Sequence, residues 1–330
     1  MVVNPLLAIP VIADDRRRVE QRLRDAVQTD DPYLSEIAAH LLNAGGKRSR
    51  PLFCLAGAGA GLPDGTPASG TALDGGVAVE LVHLGSLYHD DVMDEADTRR
   101  QVQSVNARWG NLKAILAGDF LLARASEIAS GISTEVAGLL AHTITRLCEG
   151  QVTELQSLHD VDRTEDQYER SIAGKTAALF ATAARIGALI GEIDTDQVDR
   201  LTQFGHDYGM AFQIVDDILD LTGSEELLGK PTGKDLVEGV YTLPVIYTME
   251  TRAGEDLRDL LGGQLDAPAL DKALSLVRSG PGLEAALALA KAYVLSAEDS
   301  LDQVGNNQLL SGLRGAAHYL IGSAEEVMRA

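Results

Sequence analysis

Cysteine, aromatic residues and positive charge are all scarce in this chain, and no long apolar run occurs. Only Cys54 and Cys148 are present in 330 residues. That excludes a disulfide framework and leads to the expectation of a reducing, cytoplasmic setting. Against 49 acidic residues stand 28 basic ones, for a net charge of −21; nucleic acid and anionic surfaces are therefore poor partners. No apolar stretch reaches the ~18 residues of a membrane span. The segment Leu6 to Ala13 is apolar but short, is broken by Pro10 and runs into Asp14 and Asp15. Lacking a basic leader, it does not read as a secretory signal, and residues 1–13 are expected to form a loosely ordered arm. Strand-like alternation is missing too.

What the chain has is helical periodicity. Leu201, Phe204, Tyr208, Phe212, Val215 and Leu219 recur every three or four residues, one face of a helix. Similar patterns run through 14–29, 33–44, 50–60, 72–95, 104–130, 134–158, 174–192, 240–252, 266–278, 282–303 and 308–328. Turn chemistry separates them, as at Leu62-Pro63-Asp64-Gly65 and between Gly223 and Gly239. No long linker divides the chain. The expected fold is all-α: a single domain over 1–330, a bundle of about ten or more mostly antiparallel helices.

Two copies of one acidic pattern stand out, Asp90-Asp91-Val92-Met93-Asp94 and Asp216-Asp217-Ile218-Leu219-Asp220. Three carboxylates within an apolar helical stretch are costly unless a cation neutralises them. On a helix the first and fifth positions lie one above the other, so Asp90 with Asp94, and Asp216 with Asp220, form oxygen clamps. Hard cations such as Mg²⁺ use one or two carboxylates, with water and phosphate oxygens completing the octahedron. The two clamps are expected to face each other across a metal-filled diphosphate site. His83 shares the face of Asp90 and Asp94, and Gln213 that of Asp216 and Asp220.

Basic residues cluster around these patterns. Thr98-Arg99-Arg100 follows the first, where the helix should end. Gly45-Gly46-Lys47-Arg48-Ser49-Arg50 leads into a helix through Pro51, and Gly174-Lys175-Thr176 is read as opening another. Gly229-Lys230-Pro231-Thr232-Gly233-Lys234-Asp235 brings two ammoniums soon after the second pattern. Guanidinium forks and helix starts both suit phosphate. Gly174-Lys175-Thr176 is not a P-loop, because the upstream glycine spacing and a preceding strand are absent. In so acidic a chain this grouping points to two diphosphates, one held through metal and one by Lys and Arg.

The ordered set resembles a known family. Gly46-Lys47-Arg48-x-Arg50, Glu80-x-x-His83, the first Asp pattern, Arg99-Arg100, Gly118-Asp119, Gly174-Lys175-Thr176, Phe212-Gln213 with the second Asp pattern, and Gly233-Lys234-Asp235 look like the all-trans polyprenyl diphosphate synthases. The likeness spans about residues 40–245. It implies the isoprenoid synthase fold around a central elongated cavity, a homodimer, and a transferase joining isopentenyl diphosphate to an allylic prenyl diphosphate. About three Mg²⁺ ions per site are implied: Asp90 and Asp94 would bind two and Asp216 a third, with Asp91, Asp217 and Asp220 as water-mediated partners. Arg99, Lys175 and Lys234, assisted by Lys230, would hold the allylic diphosphate. Lys47, Arg50, His83 and Arg100 would hold isopentenyl diphosphate. Thr176 and Gln213 would present oxygen dipoles to the developing carbocation. One departure is visible: many relatives carry a lysine just before Thr242-Leu243-Pro244, where this chain has Val240-Tyr241.

Gly85 and Ser86 lie one turn before Asp90, at positions where relatives with short products carry bulky aromatics. Both are small here, so the resemblance implies a long-chain product of about C30–C50, a quinone side-chain precursor, with at most peripheral membrane contact for its release. The alternatives are a geranylgeranyl or farnesyl diphosphate synthase and a non-catalytic subunit of a heteromeric synthase. A class I terpene cyclase fits less well, since it would need no isopentenyl diphosphate site.

Overall fold

The computed structural model describes residues 4–223, 232–252 and 254–329. Helices dominate it. The chain runs from Pro10–Ala26 through Pro32–Ala38, Ser49–Ala58, Gly70–Met93, Asn111–Ile132 and Thr134–Gln156. It continues through Glu165–Ile172, Ala178–Ile190 and Thr195–Thr222, and after shorter turns through Ala267–Ser279, Gly282–Leu301 and Gln308–Arg329. Prolines sit in the first turns at Pro10, Pro32 and Pro244, where a missing N–H costs nothing. Side-chain caps start others: Ser69 accepts from the Ala72 amide at 3.1 Å, and Asp266 from that of Ala269 at 2.9 Å.

The chain groups into two compact units. The first comprises Met1–Ile144, Leu179–Gly205 and Ser300–Leu313; the second comprises Thr145–Ala178, His206–Asp299 and Arg314–Ala330. In the first, helix Gly70–Met93 packs along Asn111–Ile132 and Ser49–Ala58. Phe53 lies edge-on to Phe180 and stacks with Phe204 in its core. In the second, Tyr168, Tyr208 and Tyr241 are buried. Half of the scarce aromatics are thus core residues, whose placement needs no ligand.

Several sequence expectations are corrected. Residues 4–13 are not a loose arm: Leu6 and Ile12 are buried, a 3₁₀ turn covers Pro5–Ala8, and the first helix starts at Pro10. Burial of apolar side chains, invisible to composition, ties the segment down. A two-stranded hairpin, Thr98–Arg99 with Val102–Gln103, follows the first Asp pattern. Its two turn residues, Arg100 and Gln101, have φ of 54° and 63°, the paired left-handed conformation of a tight hairpin. Such turns favour Asn-Gly, so Arg-Gln gave no signal. Helix Glu165–Ile172 also escaped the periodicity reading, although Thr164 and Gln167 form a reciprocal capping box that could have announced it.

Gly174-Lys175-Thr176 does not open a helix. It lies within the π turn Ala173–Ala177, continuous with helices on both sides. Single π turns inside α-helices are frequent at functional sites. Here the backbone of helix Thr134–Gln156 comes so close that a Cβ on Gly150 would meet the Lys175 nitrogen at 2.4 Å. Only glycine permits that approach, and it fixes where Lys175 and Thr176 stand.

Candidate active site

In the first unit, the aspartates close helix Gly70–Met93. Asp90 is half-buried in its last turn, Asp91 is buried, and Asp94 is the exposed C-cap, its amide bonded to the Asp90 carbonyl at 2.8 Å. This is the negative end of the helix dipole, where added anions are unfavourable without a cation. Arg99 supplies one: its Nε donates to Asp91 Oδ1 at 2.6 Å, and its Nη2 lies 4.0 Å from Asp94. With no exposed side-chain surface, Asp91 is committed to Arg99. Asp90 and Asp94 are the more accessible carboxylates.

Arg48, whose role no motif announces, organises the neighbouring basic cluster. At φ 54° it caps helix Ser49–Ala58. Its fully covered guanidinium binds Glu80 at 3.0 Å, Glu20 at 2.7 Å and the Leu42 carbonyl at 3.0 Å. Burial pushes the Glu80 carboxyl up, against the pull of Arg48, Arg50 and Arg100. Arg100, expected on isopentenyl diphosphate, donates to the carbonyls of Leu41, at 3.0 Å, and Gly45. These bonds hold its strained turn and tie the hairpin to the Gly45–Arg50 loop. Lys47 is exposed, and half-buried Arg50 rests 4.5 Å from the Phe180 ring centroid. His83 is half-buried; desolvation and the surrounding Arg50, Arg100, Arg48 and Arg99 hold its pKa well below the ordinary 6.5, so it is neutral at pH 7.

One turn before Asp90, Ser86 donates to the His83 carbonyl at 2.9 Å. Gly85 faces elsewhere: a Cβ there would meet the Gly118 carbonyl at 3.1 Å and Leu122 at 3.1 Å. The two small residues therefore have different surroundings. His89 is a packed histidine, its Nε2 3.2 Å from the Ile115 carbonyl.

In the second unit, a run of hydrogen bonds links four side chains. Tyr168 donates to Asp217 Oδ2 at 2.6 Å, and Gln213 Nε2 donates to Asp217 Oδ1 at 2.8 Å. Thr176 in turn donates to Gln213 Oε1 at 2.7 Å. Desolvation pushes the buried Asp217 carboxyl up to about 7, opposed by its bonds to Tyr168 and Gln213. Asp216 is exposed. Asp220 is buried and caps the next segment: its Oδ2 accepts from the Asp235 amide at 3.4 Å and its carbonyl from the Gly233 amide at 2.9 Å. Lys234, at the start of that short helix, pairs with Glu238 at 2.9 Å. Lys175 pairs with Glu154 on helix Thr134–Gln156 at 2.6 Å. Neither Glu154 nor Tyr168 was singled out in the sequence. Lys230 lies outside the described residues.

Among the described residues, no three His, Cys, Asp or Glu side chains converge into a ready-made metal cage. The donor chemistry still suits Mg²⁺. Asp90, Asp94 and Asp216 are carboxylates that reach the surface and would offer hard oxygen donors, and Mg²⁺ ordinarily takes only one or two carboxylates beside water and phosphate.

An all-α protein with two aspartate triads and flanking Lys and Arg has side chains suited to diphosphate chemistry. Residues 31–277 match the Polyprenyl synthetase family, and the chain belongs to it. It is 39% identical over 310 residues to heptaprenyl diphosphate synthase component 2 of Geobacillus stearothermophilus, covering 94% of this chain and 96% of the relative. With nonaprenyl diphosphate synthase of Mycobacterium tuberculosis it shares 40% identity over 288 residues, 86% and 85% of the two chains. The crystal structure of geranylgeranyl pyrophosphate synthase from Corynebacterium glutamicum, complexed with calcium and isoprenyl diphosphate, superposes with a TM-score of 0.83 at 39% identity, covering 95% and 96%. The protein is accordingly a trans-prenyltransferase of the isoprenoid synthase fold.

Proposed function

We propose that this trans-prenyltransferase adds isopentenyl diphosphate repeatedly to an allylic prenyl diphosphate and releases a product of about C30–C50. The observation that carries the reading is the hydrogen-bonded run Thr176–Gln213–Asp217 beside the Lys175–Glu154 pair, since these are the positions that the family resemblance assigns to the allylic substrate. Asp90, Asp94 and Asp216 would hold Mg²⁺, which when bound supplies Lewis-acid stabilisation of the departing diphosphate. Asp91, Asp217 and Asp220 orient their neighbours. Arg99, Lys175 and Lys234 bind the allylic diphosphate; Lys47, Arg50, His83 and Arg100 bind isopentenyl diphosphate. Pre-aligned cations, fixed before the C–O bond breaks, lower the barrier because no reorganisation is needed during the step. Thr176 and Gln213 offer oxygen lone pairs to the allylic cation. The proton lost after coupling passes to the released diphosphate, so no side-chain base is assigned.

Small residues at Gly85 and Ser86, together with heptaprenyl and nonaprenyl synthases among the relatives, support the long product. The test is incubation with Mg²⁺, labelled isopentenyl diphosphate and farnesyl diphosphate, with products separated by length. Products ending at C20 would establish a geranylgeranyl synthase instead.

Two copies are proposed to associate. Leu112, Ile115 and Leu116 form an apolar stripe on helix Asn111–Ile132, with Leu112 80% and Leu116 64% exposed. Leu116→Glu should convert dimer to monomer in sedimentation velocity; a wild-type monomer refutes the assembly. The component name of the Geobacillus relative favours a second reading, a subunit of a heteromeric synthase. Elongation by the purified chain alone would exclude it.

A further inference from the structure

We propose that Tyr168 is a positioning residue that sets the polarity of the Thr176 hydroxyl through Asp217 and Gln213. The inference rests on the reading that Thr176 and Gln213 face the allylic cation. In the structure both Asp217 oxygens accept hydrogen bonds. Asp217 receives the Tyr168 phenol on Oδ2 at 2.6 Å, so its other oxygen is turned to Gln213 at 2.8 Å. Gln213 must then direct its NH₂ toward Asp217 and its Oε1 toward Thr176. That oxygen takes the Thr176 proton at 2.7 Å. With its hydrogen committed, Thr176 Oγ1 has only lone pairs left to offer a neighbouring group. A positive charge near Thr176 thus meets the negative end of a fixed dipole. Without the Tyr168 bond, Asp217 could swing away from Gln213; the released amide could then flip, and the Thr176 O–H would point its positive end outward.

Three features hold Tyr168 to this task. Its side chain is buried, and desolvation with the adjacent Asp217 raises its pKa well above the usual 10, keeping the phenol a donor. The capping box at Thr164 and Gln167 fixes the start of its helix. Residues eight apart on an α-helix diverge by about 80°. The π turn Ala173–Ala177 spreads its circuit over more residues and closes part of that gap, so Tyr168 and Thr176 approach one face. Beside the phenol, buried Arg163 lies 5.6 Å from the ring centroid and is anchored to the Tyr241 carbonyl at 2.9 Å.

The experiment is a double-mutant cycle on the full-length enzyme with Tyr168→Phe and Thr176→Val. Tyr168→Phe is expected to lower kcat about 10- to 100-fold, with KM for isopentenyl diphosphate unchanged within about twofold. In a Thr176→Val background it should cost little more, because both changes cut one relay; multiplicative losses overturn the proposal. Asp217→Asn supplies a second arm. An asparagine accepting from Tyr168 turns its NH₂ to Gln213, so the amide must flip. A crystal structure of this variant should then have Gln213 donating to Thr176, and an unflipped amide refutes the relay. Calorimetry with Mg²⁺ and inorganic pyrophosphate should give Tyr168→Phe a dissociation constant within about threefold of wild type; a larger change assigns Tyr168 to metal binding instead. Failure of the wild type to elongate sinks the preceding functional reading, whereas wild-type elongation with an unaffected Tyr168→Phe sinks this inference alone.

Discussion

The Lys175 ammonium lies 2.6 Å from Glu154, a carboxylate one helix away, and the two are held in register by the glycine crossing of Gly150 and Gly174. A lysine on a four-carbon stem would otherwise wander among rotamers. Glu154 restricts it and fixes the direction from which its ammonium can meet a phosphate.

Glu154→Gln keeps the shape and removes the charge. KM for the allylic diphosphate is expected to rise about 3- to 10-fold with kcat nearly unchanged, as befits a charge-assisted bond worth ~1.5–3 kcal/mol but partly exposed. Initial rates at varied allylic substrate decide it. A lower KM would reveal Glu154 as a competitor of the diphosphate.

Asp90→Asn and Asp216→Asn should each reduce turnover by about 10²-fold or more, with the circular-dichroism melt nearly unmoved, since both carboxylates are accessible rather than core. Chelation by EDTA should abolish wild-type turnover, and added Mg²⁺ should restore it. Near-normal rates in either variant would remove that residue from the metal site.

His83 carries a pH signature. Its folded pKa lies below the unfolded value of 6.5. Its contribution to stability is therefore complete above 6.5 and is lost as pH falls from there toward the folded pKa. Urea midpoints of the ligand-free protein should fall between pH 6.5 and 5, and His83→Gln should flatten that slope. Bound isopentenyl diphosphate, an anion, should oppose the loss. A slope unaltered by His83→Gln would place the sensitivity elsewhere.

Gly85 and Ser86 should respond differently to the same aromatic. Phe at 85 would strike the Gly118 backbone, so Gly85→Phe should destabilise by ~1–3 kcal/mol in chemical denaturation. Ser86→Phe should fold and yield shorter prenyl products on chromatography. An unchanged product ladder from Ser86→Phe would put the length limit deeper along the helix.

Much of the helical architecture was legible because burial of one face imposes a 3.6-residue period, as along Leu201 to Leu219. The motif order likewise announced the family. Short elements escaped: Glu165–Ile172 and Lys234–Glu238 offer too few turns for a period to register, and the Thr98–Gln103 hairpin uses residues without turn preference. The π turn reads in sequence as a helix start, because a glycine required by close packing looks the same there as one required by a cap.

By itself, the amino-acid order determined the residue types available for chemistry: six aspartates in two triads, their flanking cations, and helices to carry them. Tertiary structure alone decided which carboxylates are committed and which stay accessible. Asp91 goes to Arg99 and Asp217 to Tyr168, 49 residues away. It also decided that Arg48 joins Glu20 and Glu80, that Arg100 braces the carbonyls of Leu41 and Gly45, and that Gly85 faces a neighbouring helix. The physical reason is range. Periodicity is a local property of the chain, whereas a buried polar group takes its partner from whatever distant segment packing brings within about 3 Å.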